Sequence, residues 1–172
     1  IEVITYDILN SFSQACTTFV GQNFGAGELK RCKKTLALCL LEGIVILTVS
    51  VTVFLTFGKT LLAIFNREPE VIAIGYIRLV IVMLSHIFSL LYEVLSGYLR
   101  GFGISVVPAV LTMAGVCGIR IAWFKLVFPQ FQTFRSIMLA YPISLCTTAL
   151  LLFAALVYYR PAKKFARIEK EK

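Results

Sequence analysis

Four uninterrupted apolar blocks, at about 35–57, 71–99, 104–128 and 136–159, constrain this chain more than any other feature. Each is long enough to cross the hydrocarbon core of a bilayer as a helix. Inside a membrane every backbone N–H and C=O must be satisfied internally, so a span is either a helix or part of a closed barrel. Helices are expected. Bulk composition agrees: 59% of residues are hydrophobic and 15% charged, against about half and a quarter in a soluble domain. The expected fold is an all-α polytopic membrane bundle.

Ahead of these blocks, 3–21 is a shorter, more polar stretch carrying Asp7, Asn10, Ser11, Ser13 and Gln14. Alone it makes a poor lipid-facing span, but among other helices it can line a polar cavity. It is counted as a fifth helix, giving transmembrane helices over 1–159 and a basic tail over 160–172. The chain begins at Ile1, without Met and without a basic segment leading into an apolar core. A signal peptide is therefore not expected, and the chain is expected to be a piece of a longer protein.

The net charge of +8 must be interpreted by position. Most cations cluster beside apolar runs rather than on a polar face, which argues against a nucleic-acid partner and for the lipid bilayer. In a five-helix weave, loop 22–34 (Lys30, Arg31, Lys33, Lys34), loop 100–103 (Arg100) and the tail from Arg160 fall on one side, with eleven cations. The other side carries Lys59, Arg67 and Arg135. The positive-inside rule places the first side, and the C-terminus, in the cytoplasm. Trp123, Phe124, Phe128, Phe131 and Phe134 at the outer surface, with Tyr158 and Tyr159 at the inner, suit aromatic belts. Cys16, Cys32, Cys39, Cys117 and Cys146 share no metal-like spacing, and His86 is the one histidine. Neither a metal site, a disulfide framework nor a cofactor is indicated.

Two short segments are the most specific. Phe19-Val20-Gly21-Gln22-Asn23-Phe24-Gly25-Ala26-Gly27-Glu28 runs into Lys30-Arg31-Cys32-Lys33-Lys34. Gly21 and Gly25 make a small-xxx-small spacing that permits close helix approach, Gln22 and Asn23 bring amides to the membrane edge, and Gly25 and Gly27 allow a turn. On physics alone this is also how an ordinary helix end beside a basic loop would look. The second segment is Gly97-Tyr98-Leu99-Arg100-Gly101-Phe102-Gly103.

Together these segments resemble the multidrug and toxic compound extrusion (MATE) family. There a G-Q-N-x-G-A-G-like stretch recurs near the end of the second helix of each six-helix lobe, and L-R-G-x-G follows the tenth helix. Tyr141-Pro142-Ile143-Ser144 is a third, weaker match. The resemblance implies that the five helices are the eighth to twelfth of a twelve-helix transporter, most of its C-terminal lobe, with the first lobe and seventh helix absent. It marks Gly21, Gln22, Asn23, Gly25, Ala26, Arg100, Gly101 and Gly103 as motif residues. It further implies antiport in the plasma membrane, coupled to inward H⁺ or Na⁺, that expels organic, often cationic, compounds. Several members place an important acid in the first lobe. Many also carry an acid eleven positions before the motif arginine; here that position is Ser89, and Glu93 lies one turn later. A lipid-linked oligosaccharide flippase of the same superfamily is the alternative, with Arg78 and Arg120 supplying a more cationic cavity. A membrane-embedded enzyme is disfavoured, since no paired acids or His-plus-acid motif sits at a membrane surface.

A charge at mid-bilayer costs about 3 kcal/mol on insertion scales, so spans hold ionisable residues where protein or water receives them. Glu42, Arg78, His86, Glu93, Arg120 and Lys125 are such residues. At 100° per residue, His86 and Glu93 fall within about 20° of one another, and Ser89 and Tyr92 lie close by. That stripe is expected to face a cavity, with Glu93 as the ion-coupling residue. Each residue also has a plainer role. Lys125 can snorkel to the outer surface, Glu42 can pair with Lys33 or Lys34, and Arg78 and Arg120 can snorkel or line the outer mouth. His86 can be a buried interhelical hydrogen-bonding group. Pro108 and Pro142 each remove a backbone donor and favour a bend, either as a static kink or as a moving segment.

Overall fold

The computed structural model describes residues 2–161. The chain folds as helices α1 (Glu2–Gly25), α2 (Leu29–Phe65) and α3 (Pro69–Gly101), then a composite rod and α6 (Phe134–Tyr159). The rod consists of α4 (Val106–Thr112), a π-helical segment (Met113–Gly118) and α5 (Ile119–Leu126). Four of these, α2, α3, the rod Val106–Leu126 and α6, are long and apolar enough to cross a membrane. The fold is therefore the expected all-α, multi-pass membrane bundle. The basic tail from Lys163 onward lies outside the described residues.

Helix α3 is the central post, packed against α1, α2 and α6. Every residue from Tyr92 to Leu99 is buried, as expected of a helix covered on all sides. One apolar cluster joins Leu9, Cys16 and Val20 of α1 to Cys39 and Leu47 of α2 and Leu90 and Val94 of α3. A second joins Leu95 and Leu99 to Leu145, Ala149 and Leu152 of α6.

The two motif segments meet at one end of the bundle. Gly27 takes φ 75° and Gly103 φ 80°, the left-handed region that glycine enters without Cβ strain. Each closes its helix in the same way. Glu28 N–H donates to Asn23 C=O (2.8 Å) and Gly27 N–H to Phe24 C=O (3.0 Å), while Ile104 N–H donates to Leu99 C=O (3.1 Å) and Gly103 N–H to Arg100 C=O (2.9 Å). These are Schellman caps, which satisfy carbonyls the helix end would otherwise orphan. Between the caps, the Phe24 and Phe102 rings lie 5.0 Å apart. The same end carries Lys33 and Arg160, which flank a shared groove beside Tyr98 and Leu156.

Four expectations change. A Cβ on Gly21 would lie 3.6 Å from the Gly101 carbonyl, but one on Gly25 would meet nothing within 4 Å; close approach therefore uses Gly21 alone, while Gly25 ends the helix. Lys30 to Lys34 belong to the first turns of α2 rather than to a loop, and Lys59 also lies within α2, because polar heads at a membrane surface do not interrupt a helix. Pro108 stands in the first turn of α4, where its missing N–H has no partner to lose; Pro142 is inside α6. The span expected as one α-helix over 104–128 contains a π-helical stretch.

The cation bias predicts an orientation. In intact cells, an impermeant thiol reagent should label single cysteines placed at 130–133 and leave those at 30–34 untouched until the membrane is opened. Labelling in the reverse order would invert the topology.

Candidate functional site

In its last three turns α3 carries Glu93, Ser96 and Arg100 at positions i, i+3 and i+7, a single face of a helix. The rod answers with Ala109, Thr112, Met113, Val116 and Cys117, again at helical spacing. With Tyr92 these residues line an open cavity of about 430 Å³, within the range of small-molecule sites. The α3 wall is polar and the rod wall largely apolar. The π-helical segment forms part of that rod wall. Such insertions widen one turn and are frequent at functional sites.

Glu93 is only 8% exposed and is held from two directions. Tyr6 Oη of α1 donates to Glu93 Oε1 at 2.8 Å, and Tyr92, the preceding residue, is buried. The Glu93 backbone carbonyl accepts from Ser13 Oγ at 2.6 Å. Arg100 Nη2 in turn donates to Ser13 Oγ at 2.8 Å. One hydroxyl thus ties a guanidinium to the backbone of the helix turn that carries the carboxylate. Thr17 Oγ1 approaches both the Ser13 carbonyl (2.9 Å) and the Gly97 carbonyl (3.1 Å). This lacing requires close contact: a Cβ on Gly97 would overlap the Ser13 main-chain carbonyl, and one on Gly101 would come within 2.6 Å of Val20 Cβ.

The remaining expected residues are dispersed. His86 is buried, with Nδ1 2.6 Å from the Val82 carbonyl oxygen; because that oxygen only accepts, Nδ1 carries a proton. Neither His86 nor buried Ser89 lines the cavity around Glu93. Arg78 pairs side-on with Glu2 through contacts of 2.9 and 3.1 Å, joining α3 to the start of α1. Arg120 Nε donates to Ser144 Oγ at 3.1 Å, and its guanidinium sits 4.4 Å from the centre of the Tyr141 ring. Trp123 Nε1 donates to the Ser136 carbonyl at 2.9 Å. Glu42 is exposed on α2; among the described residues the ion pairs are Arg31–Glu28 and Arg78–Glu2, so Glu42 pairs with neither Lys33 nor Lys34. In the first motif Gln22 and Ala26 are exposed, and Asn23 Nδ2 donates to the Phe19 carbonyl at 2.7 Å.

Sequence reasoning overlooked Tyr6, Thr17 and the cavity wall from Thr112 to Cys117, and took Ser13 only as one of the polar residues of α1 that can line a cavity. One signal was available. Ser13, Thr17 and Gly21 recur every fourth residue, as do Gly97 and Gly101, the pattern of two helices in close contact. Nothing comparable marks Tyr6.

Comparison with known proteins sharpens this picture. The structure of the eukaryotic MATE transporter AtDTX14 superposes with a TM-score of 0.80 at 23% identity, covering 95% of this chain and 37% of that one. The chain therefore has the fold of just over a third of that transporter. No curated protein matches at a significant level. A family model, MatE, matches residues 1–123. The match takes in α1, α2, α3, both glycine-capped motifs and the wall of the cavity, and the chain belongs to the MATE family.

Proposed function

We propose that this chain forms most of one lobe of a secondary active transporter that expels organic, often cationic, compounds by antiport with inward H⁺ or Na⁺. The observation that carries this reading is Glu93, a carboxylate buried at a cavity inside a membrane-spanning bundle. Ionisable residues are kept in spans mainly where they serve an ion or substrate path. A carboxylate held by a tyrosine hydroxyl can exchange that bond for a proton, a Na⁺ ion or a substrate ammonium. Coupling requires only that these ligands differ in affinity between two arrangements of the protein.

A partner lobe belongs to the proposal. Asp7, Ser11, Gln14, Thr18 and Gln22 are exposed along one stripe of α1, a polar face that hydrocarbon does not solvate. A second lobe across a water-filled path would receive it, with the assembly in the plasma membrane and its C-terminus cytoplasmic. The flippase alternative drew on Arg78 and Arg120. Those two are engaged by Glu2 and by Ser144 with Tyr141, away from the cavity.

The test uses the full-length protein in proteoliposomes loaded with tetraphenylphosphonium. Imposing an opposed H⁺ or Na⁺ gradient should accelerate release of this cation, and collapsing the gradient should return release to the leak rate. Release indifferent to both gradients would remove ion-coupled antiport.

A further inference from the structure

Helices α2 and α6 both pack against α3, and at the glycine-capped end they leave an open groove of about 300 Å³ between them. Lys33 and Leu36 of α2 stand one turn apart on one face. Leu156, Val157 and Arg160 line the other wall, and Tyr98 of α3, 3% exposed, is the floor. Because α2 begins at Leu29 and α6 ends at Tyr159, both cations lie on the terminal side of the apolar residues. The groove is cationic at the helix ends and apolar toward the bundle's interior depth.

Neither charge is neutralised: among the described residues the ion pairs are Arg31–Glu28 and Arg78–Glu2. Arg160 is also held in place. It caps α6 at φ 40°, in the left-handed region more often occupied by glycine, and its Nε donates to the Val157 carbonyl at 3.0 Å. That bond keeps the guanidinium by the last turn of α6 and engages one of its five donors.

We propose that this groove binds one anionic phospholipid, its phosphate between Lys33 and Arg160 and an acyl chain along Leu36, Leu156 and Val157. Charge and polarity select that occupant. A zwitterionic lipid brings an ammonium that two unpaired cations repel, whereas a phosphodiester of net negative charge gains charge-assisted bonds. A soluble phosphate would leave the apolar walls facing water. The chain's own tail has the wrong sign, with Lys163, Lys164, Arg167, Lys170 and Lys172 against Glu169 and Glu171. On the proposed orientation the headgroup lies in the cytoplasmic leaflet, whose surface is negative. The lipid bridges α2 to α6, two helices that α3 otherwise joins.

The test is native mass spectrometry of delipidated full-length protein, titrated with palmitoyl-oleoyl phosphatidylglycerol or the phosphatidylcholine of the same chains. The first phosphatidylglycerol should bind roughly tenfold tighter, equal to about 1.4 kcal/mol. Lys33→Gln with Arg160→Gln should bring that ratio to about one, and Lys33→Arg should keep it. Both side chains are exposed, so the melting temperature in detergent should stay native; Lys33→Gln alone should give an intermediate ratio. Lys30→Gln with Lys34→Gln removes the same charge outside the groove lining and should leave the preference intact.

Equal affinity for the two lipids in the native protein overturns the proposal, as does a preference that survives loss of both groove cations. An equal loss from the Lys30 and Lys34 pair would make the effect diffuse surface charge and overturn the site. Displacement of phosphatidylglycerol by equimolar glycerophosphoglycerol or inorganic phosphate would show a soluble-anion site and overturn the lipid assignment. No ion gradient enters these measurements, so failure of gradient-driven release leaves the lipid site standing.

Discussion

Gly97→Val in the full-length protein should sharply reduce the yield of folded material and lower the melting temperature of what remains by several degrees. A side chain at residue 97 would overlap the main-chain carbonyl of Ser13, and backbone cannot step aside as a flexible side chain can. Helix α1 would have to withdraw from α3. That separation would break Ser13 Oγ to the Glu93 carbonyl, Arg100 to Ser13 Oγ, and Thr17 to the Gly97 carbonyl. Overpacking a tight contact costs about 1–3 kcal/mol, and each interhelical hydrogen bond in a membrane adds roughly 0.6 kcal/mol. Gly43→Ala should be milder, because its new methyl would meet the Leu90 side chain, which can change rotamer. Gly25→Ala is the control: the space beside it is open, and replacing a helical glycine gains up to about 1 kcal/mol. The measurement is thermal unfolding of detergent-purified protein followed by size-exclusion fluorescence. Native-like melting of Gly97→Val would mean that α1 and α3 do not touch here.

That contact also shows where sequence reasoning succeeds and where it stops. The apolar blocks were legible because insertion into hydrocarbon depends on summed side-chain polarity, a property of composition. Helix ends were less so. The run at 35–57 is the apolar middle of a helix extending from Leu29 to Phe65, since Lys30 to Lys34 continue the backbone pattern into the headgroup region. The π-helical turn at Met113–Gly118 changes no hydropathy and was invisible. Ser13 was grouped with the residues that can line a polar cavity; its hydroxyl, with that of Thr17, instead ties α1 to α3, a distinction that depends on which face meets a neighbour. Asp7 and Gln14, from the same stretch, do remain exposed. Angular periodicity likewise grouped His86 with Glu93. Angle says nothing about depth, however, and the cavity begins at Tyr92, nearly two turns beyond His86. Arg100, assigned from the motif, joins Glu93 through Ser13, a residue whose link to both is a property of three dimensions alone.

Glu93→Gln should leave the bundle assembled and lower gradient-driven efflux by about ten- to a hundredfold, the span of typical coupling free energies. The amide is nearly isosteric, and its carbonyl oxygen can still accept from Tyr6 Oη, now 2.8 Å from Glu93 Oε1. Ser13 bonds the Glu93 backbone rather than its side chain, so the α1–α3 lacing is untouched. What disappears is the negative charge, and with it the ability to release and take up a proton or to hold Na⁺ strongly. Tyr6→Phe should fall between native and Glu93→Gln, because it removes the donor that orients the carboxylate but keeps the carboxylate itself. Ser89→Ala should cost least, since Ser89 is buried away from the cavity lining. Initial efflux rates in energised vesicles, normalised to inserted protein, give the order. The melting temperature of each variant separates lost coupling from lost folding: a stable but inactive Glu93→Gln supports the assignment, and an unstable one makes the carboxylate structural. Near-native efflux by a stable Glu93→Gln would take Glu93 out of the coupling step. Ion exchange would then have to occur at a carboxylate elsewhere, with exposed Asp7 on α1 the next to substitute.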